Sequence, residues 1–431
     1  MPWYENLLAG LMPGAQLLLV VLGIPVLVFG LLKLLVLPLA LWFQVQVTRR
    51  RRTGQGTLLN EWPTVSIIVP AYNEATVIEN CVRSIQLTTY DRYEVVLVDD
   101  GSTDNTLELM HELAAGDPRI TVLTQENAGK GAALNRGLNY STGEVLMFVD
   151  ADGIFSRSTV KRMLQGFTDR RVGAVCGDDR PVNLNRVQTR MLAFISHVGT
   201  GLVRRALTVI GCLPIVSGNI GAFPRSVLAD VGPFREDTVG EDLELTWRVH
   251  RAGYNVVFAP KALVYAESPS TVHALWRQRV RWARGLLQTM RVHKDMIGNL
   301  RRGRFGAYLL FNTVTMVALP VLQLALLVDL LLLVAGGRSP LGADAWAVLG
   351  WLGLVVTAVL TLFGLSLNRA WPDLRHAWTL PLVPFYSVFT GLTMAAALLQ
   401  ETRGKQAHWN KLKRTGVVSV PTAAAVTEVR V

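Results

Sequence analysis

The stretch "YEVVLVDDGSTDNT" (93–106) decides the fold. It opens with a continuous apolar, β-branched run and stops abruptly in two aspartates and a glycine. Such a run, with no polar alternation, reads as a strand covered on both faces. The Asp, Gly, Ser and Asn that follow are turn formers. Three more stretches repeat the pattern: "VSIIVPAYNE" (65–74), "ITVLTQ" (120–125) and "EVLMFVDAD" (144–152). Helix-like sequence fills 75–87, 104–115 and 129–139 between them. Strands alternating with helices predict a parallel sheet with helices on both faces. In such sheets ligands bind at the carboxyl ends of the strands, where this chain puts Tyr72, Asn73, Asp99, Asp100, Asp150 and Asp152.

The composition adds a membrane. The chain has 431 residues, 50% of them hydrophobic, and a net charge of +11. These values suit a membrane protein carrying a sizeable soluble domain. Residues 15–32 are apolar and uncharged, Lys33 interrupts, and 34–43 are apolar again. That is too long for a signal-peptide core and has no cleavage site. It predicts one long tilted span, with two helices as the alternative. Further apolar segments lie at 306–335, 344–367 and 376–400, and nothing between Phe43 and Arg304 is long enough to cross. The expected organisation is an anchor and basic linker over 1–56, a soluble domain over 57–290, interfacial and transmembrane helices over 291–404, and a basic tail over 405–431.

Arg49 to Arg52 follow the first span, and Arg291, Lys294, Arg301, Arg302 and Arg304 precede the next. The positive-inside rule makes both ends of the soluble domain cytoplasmic, in a multi-pass protein of the plasma (inner) membrane. These clusters, facing anionic lipid, account for the net charge; no signal points to nucleic acid. Pro381 and Pro384 interrupt the last apolar segment, and Arg403, Lys405, Lys411, Lys413 and Arg414 follow it. A re-entrant or interfacial last segment with a cytoplasmic tail is expected, because proline breaks helices. Residues 418–431 are expected to be disordered. Cys81, Cys176 and Cys212 are few and unevenly spaced, so free thiols and no zinc site are expected.

Several side chains carry chemistry. Asp150 and Asp152 are two residues apart, which aims two carboxylates one way if the segment is extended. Like charges together need a cation, and hard oxygen ligands suit Mg²⁺ or Mn²⁺. Strand-end carboxylates also serve as turn formers, the reading given to Asp104. In "TVGEDLELTWRVHRAGY" (238–254), Thr238 and Glu241 have the spacing of a capping box, and Asp242 falls in the first turn of a helix. An ionised aspartate held there can act as a general base. "RQRVRWARG" (277–285) concentrates four arginines around a glutamine and a tryptophan.

In order along the chain, Asp99-Asp100-Gly101, Asp150-Ala151-Asp152, Gly240-Glu241-Asp242 and Gln278-Arg279-Val280-Arg281-Trp282 resemble the signatures of processive, inverting family-2 glycosyltransferases. That group includes the cellulose, chitin, hyaluronan and poly-N-acetylglucosamine synthases. "ENAGKGAALNRGL" (126–138), "VSGNIGAF" (216–223) and "SPSTVHALWRQRVRWARG" (268–285) look most like the bacterial poly-β-1,6-N-acetylglucosamine synthases. The chain departs from that pattern in its single clear N-terminal span, in the acidic "CGDDRPVN" (176–183), and in Gly240, where Thr or Ile is common.

The resemblance implies a GT-A fold, an α/β Rossmann-like domain with a mostly parallel sheet, beside a transmembrane helix bundle. It implies a UDP-sugar donor, with Tyr72 stacking near the uracil and Asp100 contacting the nucleoside. Glu74 and Asp99 join that donor set, and Lys130 meets the diphosphate. Asp152 ligates Mg²⁺ or Mn²⁺, and Asp150 contacts the metal or the nucleotide. Asp242, with Glu241 beside it, takes the proton from the acceptor hydroxyl, and inversion gives a β linkage. Arg281 and Arg279 grip the diphosphate, and Gln278 orients donor or acceptor. Trp282 offers its ring to the terminal sugar, with Ser217, Gly218 and Asn219 also on the acceptor side. Arg277 and Arg284 read as membrane-flanking charges. The tail around Trp409 either folds over the nucleotide or snorkels at the interface. The implied product is a polysaccharide exported through the lipid bilayer, with room for a small membrane accessory subunit. A one-step transferase acting on a lipid, and a synthase of the hyaluronan, chitin or cellulose type, are the alternatives. A non-catalytic scaffold is opposed by the joint presence of Asp100, Asp152, Asp242 and Trp282.

Overall fold

The computed structural model describes residues 28, 31–52, 63–335, 343–405 and 414–419. Most of the expected N-terminal span, Trp409 and most of 418–431 lie outside the described residues. Eight strands form one sheet: β1 Val65–Ala71, β2 Tyr93–Asp99, β3 Ile120–Thr124, β4 Val145–Phe148, β5 Ile154–Phe155, β6 Val172–Pro181, β7 Gly221–Pro224 and β8 Asn255–Ala266. Their order is β3-β2-β1-β4-β7-β6-β8-β5. Strands β3, β2, β1 and β4 pair in parallel, as the unalternating sequence predicts. β7 then pairs antiparallel with both β4 and β6, and β5 antiparallel with β8, so the sheet is mixed. The short β7, Gly-Ala-Phe-Pro, carries too little apolar sequence to be read as a strand from its pattern alone.

Strand β1 is buried along its whole length. Its alternate residues feed two cores: Val65, Ile67 and Val69 pack on one face of the sheet and Ile68 on the other. The helix α1, Lys130–Tyr140, lies on the second face. A Cβ at Gly137 would come 2.4 Å from Ile68 Cγ2, so glycine lets α1 settle onto β1. This packing holds Lys130, the first residue of α1, over the strand ends.

Three further helices frame the site: α2 Glu241–Arg251, α3 Val272–Val292 and, after the apolar segments, α6 Val383–Thr402. The apolar segments themselves are helical, including α4 Leu319–Ala335 and α5 Ala343–Asn368. Among the described residues, two helical stretches are long and apolar enough to cross a membrane, Leu300–Ala335 and Trp371–Thr402. The prolines of the last segment mark a change of helix type. Pro381 sits inside a 3-10 helix, Trp371–Leu382, and Pro384 in the first turn of α6, where its missing N–H costs nothing. Both ends of α6 meet α3: the Tyr386 hydroxyl accepts from Arg279 Nε at 2.8 Å, and Glu401 Oε1 from Arg284 Nε at 2.7 Å.

Residues 414–419 pack against the sheet domain. Ser419 N donates to Val182 O at 2.9 Å, and Thr415 N to Glu267 Oε2 at 2.9 Å.

Candidate active site

The parallel strands β2, β1 and β4 are neighbours, so their carboxyl-end loops converge. Asn73, at φ 52°, interlocks the first two: its Oδ1 accepts from Thr103 N at 2.6 Å, and its own N–H donates to Ser102 Oγ at 2.8 Å. Tyr72 is half-buried beside it, and Glu74 is buried with its N–H donating to Thr106 Oγ1 at 2.8 Å. Asp99 accepts from Ser102 N and Thr124 Oγ1, which makes it an organiser of the turn. Asp100 spends both carboxylate oxygens on the next loop: Oδ1 accepts from Gln125 Nε2 and Ala128 N, and Oδ2 from Gly129 N, all within 2.9 Å. It thereby fixes the approach to Lys130. Asp104 behaves as expected of a turn former, accepting from Thr106 N at 3.1 Å.

Lys130 is the hub. Its Nζ lies 2.6 Å from Asp150 Oδ1 and 3.2 Å from Glu241 Oε1, with only 10% of the side chain exposed. Burial alone would lower its ammonium; Asp150, Glu241 and Asp242 together raise it above the ordinary lysine value. Asp150 is likewise penalised by burial, and Lys130 more than offsets this, holding it below the ordinary carboxylate range. Arg281 adds to that field.

Asp150 and Asp152 do not lie on an extended segment. Gly153 N closes a turn onto Asp150 O at 2.8 Å. The two carboxylates therefore enter different ion pairs, Asp150 with Lys130 and Asp152 with Arg414 Nη1 at 2.9 Å. Asp152 Oδ2 also accepts from Glu267 N at 2.9 Å, while its buried Oδ1 has no hydrogen-bond partner among the described residues. Burial raises the Asp152 carboxyl, and Arg414 only partly opposes this.

Asp242 stands one helical residue beyond Glu241. Its Oδ2 accepts from Gly218 N at 3.0 Å, and its Oδ1 from Leu243 N at 2.8 Å. Burial, then the neighbouring Glu241, push its pKa up to about 6, against the pull of Lys130. The low-dielectric floor is aromatic: Phe148, Phe223 and Phe234 line the same pocket as Lys130 and Asp242. A carboxylate titrating near 6 is ionised at neutral pH and basic enough to accept a proton. Gly218 is pinned here by space, since a Cβ would fall 2.7 Å from Lys130 Nζ and 3.4 Å from Asp242 Oδ2. Asn219 N donates to Ser217 Oγ at 3.4 Å in the same loop. The capping box does not form. Thr238 Oγ1 donates to Gln288 Oε1 at 3.1 Å, and Gly240 caps α2 without a side chain, which releases Glu241 to Lys130.

Helix α3 carries the glutamine, arginines and tryptophan. Gln278 Oε1 is buried with no hydrogen-bond partner among the described residues. Trp282 is 51% exposed, and the Arg279 guanidinium lies 4.2 Å from its ring centroid. Arg279 is thus engaged by Trp282 and the Tyr386 hydroxyl, and burial lowers its pKa. Arg284 is not a solvated flanking charge. It is 7% exposed and paired with Glu401, because α6 covers that face of α3. The acidic "CGDDRPVN" segment is neutralised internally, Asp178 by Arg180 at 2.8 Å and Asp179 by Arg204 at 2.6 Å.

Residues 66–231 match the glycosyl transferase family 2 profile. This stretch is thus similar to family 2 glycosyltransferase domains. The chain is 32% identical over 257 residues to the poly-β-1,6-N-acetyl-D-glucosamine synthase of Staphylococcus aureus strain COL, covering 58% of this chain and 61% of that protein. It is 30% identical over 251 residues to the synthase of the same name from Staphylococcus epidermidis, covering 57% of this chain and 60% of that one. The match thus spans about three fifths of these relatives' length. A mannosyltransferase from Pyrobaculum calidifontis, solved with GDP-Man and Mn²⁺, superposes with a TM-score of 0.61 at 23% identity, over 91% of this chain and 99% of that one. That likeness establishes the GT-A fold. The matched profile ends before α2, so Glu241, Asp242 and all of α3 lie beyond it.

Sequence reasoning missed Glu267, Gln288 and Glu401. None belongs to a local motif, and only the packing brings it to the site.

Proposed function

We propose that this chain is an inverting, processive glycosyltransferase. It polymerises a UDP-sugar, UDP-N-acetylglucosamine by its similarity to the staphylococcal synthases, into a β-linked polysaccharide delivered across the membrane. The observation that carries the reading is Asp242. It is a buried carboxylate raised to about 6, oriented by Gly218 N, and set beside Lys130.

Asp242 accepts the proton of the acceptor hydroxyl. The freed oxygen attacks the anomeric carbon as the bond to UDP breaks, and attack opposite the leaving group turns an α donor into a β product. Negative charge grows on the departing diphosphate. Lys130 and Arg281 provide cations on that side, and guanidinium matches phosphate geometry. Tyr72, Glu74, Asp99 and Asp100 form the nucleoside side, Asp100 through the loop it pins. Gln278, with an unanswered buried acceptor, orients a sugar hydroxyl or amide. Trp282, stiffened by Arg279, supports the terminal sugar of the chain, and Ser217, Gly218 and Asn219 frame it. Glu241 holds Lys130.

A divalent cation would be held chiefly through Asp152, because the turn at Gly153 sends the two carboxylates into different ion pairs. Asp152 offers an unshared carboxylate oxygen and Asp150 a second carboxylate, and Mg²⁺ or Mn²⁺ is commonly held by one or two carboxylates plus substrate phosphates. The cation would neutralise charge on the leaving diphosphate. Although α6 is part of a stretch apolar and long enough to cross, it is tied to α3 at both ends through Tyr386 and Glu401, so α4 and α5 would cross the bilayer and α6 would be interfacial; this keeps the tail with the soluble domain.

The test is to incubate purified protein with single UDP-sugars and to size and digest the product. UDP-N-acetylglucosamine alone should give a polymer degraded by a β-1,6-specific N-acetylglucosaminidase and resistant to chitinase and hyaluronidase. A product with one sugar on a lipid would replace processivity with single transfer. Incorporation from UDP-glucose alone, or a need for UDP-glucuronic acid, would move the chain to the cellulose or hyaluronan branch.

A further inference from the structure

We propose that Glu401, at the end of the apolar helix α6, is a positioning residue for the base Asp242 and acts through Gln288 of α3. The inference rests on the reading of Asp242 as the base.

The connection is continuous and direct. Glu401 Oε1 accepts from Gln288 Nε2 at 3.0 Å. The other end of the same amide, Gln288 Oε1, accepts from Val239 N at 3.1 Å and Thr238 Oγ1 at 3.1 Å. Thr238 Oγ1 in turn accepts from Gly240 N at 3.2 Å. Val239 and Gly240 are the last residues before Glu241 and Asp242. The start of α2 has no side-chain cap of its own, so its entry is held from α3 instead.

Glu401 is itself fixed. Its side chain is 9% exposed, Arg284 Nε lies 2.7 Å from Oε1, and Arg291 Nη2 lies 3.5 Å from Oε2. Arg284 also donates to Lys405 O, which ties down the residues just past α6. A buried carboxylate shared between a guanidinium and an amide has one geometry. The amide of Gln288 is thereby oriented with its oxygen toward Val239. Without the acceptor on Glu401, the amide is free to flip and present its NH₂ to Val239 N–H. Positioning of this kind is worth large factors, because a displacement of about 1 Å at a reacting group costs on the order of a hundredfold in rate.

The consequence reaches the chemistry through burial. Asp242 is raised above the ordinary carboxylate range first by burial and then by Glu241, against Lys130; Asp150 and Arg281 lie in the same charge cluster. If the α2 entry loosens from α3, water reaches Asp242 and its pKa falls. A residue that merely stabilises the fold would not move that value.

The experiment compares steady-state transfer from UDP-N-acetylglucosamine in the full-length purified protein with Gln288→Leu, Glu401→Gln, and Asp242→Asn as reference. Gln288→Leu should lower kcat about tenfold, the scale of losing one buried hydrogen bond to an aligned group, with the donor KM unchanged. The acid limb of its kcat–pH profile should move to lower pH. Glu401→Gln should show the same pattern more weakly. The double exchange Gln288→Glu with Glu401→Gln restores a donor–acceptor pair and should recover most of kcat. Wild-type kcat and pH profile in Gln288→Leu, with Asp242→Asn inactive, would overturn the positioning role alone. A lower kcat with an unmoved acid limb, or a parallel rise in donor KM, would also overturn it. Full activity in Asp242→Asn would overturn the base assignment and this inference with it. If Gln288→Leu fails to fold, Thr238→Val removes one of the Gln288 hydrogen bonds from the other side, should show the same pattern more weakly, and decides between these outcomes.

Discussion

Gly240 and Gly285 lie backbone to backbone: a Cβ on either one would come 2.9 Å from the other's Cα. No rotamer change relieves that contact, because both partners are main chain. The pair sets how closely α2, which carries Asp242, approaches the α3 helix that carries Gln278, Arg281 and Trp282. It also leaves no room for a side chain at position 240. Gly285→Ala should push the helices apart. Overpacking of this kind costs about 1–3 kcal/mol. A melting temperature lowered by several degrees, with kcat falling more than donor affinity, is the expected result in paired thermal and kinetic assays.

Asp242→Asn separates function from stability. Transfer should fall by about 10²–10⁴-fold, the usual loss for a general base. Stability should move the other way at alkaline pH. The folded carboxyl is raised from 3.8 to about 6, so the folded state binds more protons than the unfolded one across that window. Stability from this group is therefore present below 3.8 and lost as pH rises through about 6. Removing the charge should raise the melting temperature at pH ~8 and leave no gain at pH ~4, because the penalty exists only where the wild-type group is ionised. Melting curves at the two pH values check the sign directly.

Lys130→Met should do the reverse. It leaves Asp150, Glu241 and Asp242 without their shared cation, and breaking a buried pair on one side costs about 3–5 kcal/mol. Lys130 holds Asp150 below its ordinary range, so that stabilisation is present above the ordinary carboxylate pKa and disappears as pH falls through the folded value. The deficit of the variant should be largest at neutral pH and shrink toward acid. Because Lys130 also pulls the Asp242 value down, the acid limb of any residual activity should shift upward from about 6. Rate–pH profiles and denaturation at several pH values test both statements.

The legible part of this molecule is the part written in local pattern. The runs at 65–71, 93–99 and 145–148 announce their strands because both faces are buried, and parallel pairing then carries Asp99, Asp100 and Asp150 to one edge. What stayed hidden depends on distant partners. Arg284 reads as one more basic residue until Glu401, 117 positions away, buries it. Thr238 and Glu241 have capping-box spacing, but Gln288 and Lys130 compete for those side chains and win. Asp150 and Asp152 share a spacing but not a direction, because a turn closed by Gly153 separates them. No periodicity encodes these choices.

Metal removal should abolish transfer. EDTA in excess is expected to stop product formation, with activity restored by Mn²⁺ or Mg²⁺. Mn²⁺ binding measured by electron paramagnetic resonance in the presence of UDP should weaken in Asp152→Asn, since that substitution removes the buried carboxylate oxygen with no hydrogen-bond partner among the described residues. Undiminished synthesis in chelator would remove the cation from the reaction.

Trp282→Ala should shorten the product rather than empty the donor site. The indole is half exposed, with Arg279 lying 4.2 Å from its ring centroid and leaving the ring as a stiff platform. Arg279 is itself held by the Tyr386 hydroxyl at 2.8 Å, so the platform is braced from α6. A sugar ring presents an apolar C–H face, and stacking on such a platform is an acceptor contact that the diphosphate does not share. Lys130 and the strand-end loops are untouched by the change. UDP affinity should therefore stay within about twofold, a free-energy change below ~0.5 kcal/mol. Mean product length should fall steeply, because a chain that dissociates after each addition restarts instead of elongating. Tyr386→Phe removes the brace but keeps the ring stack, and should give an intermediate length. A Trp282→Ala protein that loses UDP affinity yet elongates added oligosaccharide normally would assign the ring to the donor side instead.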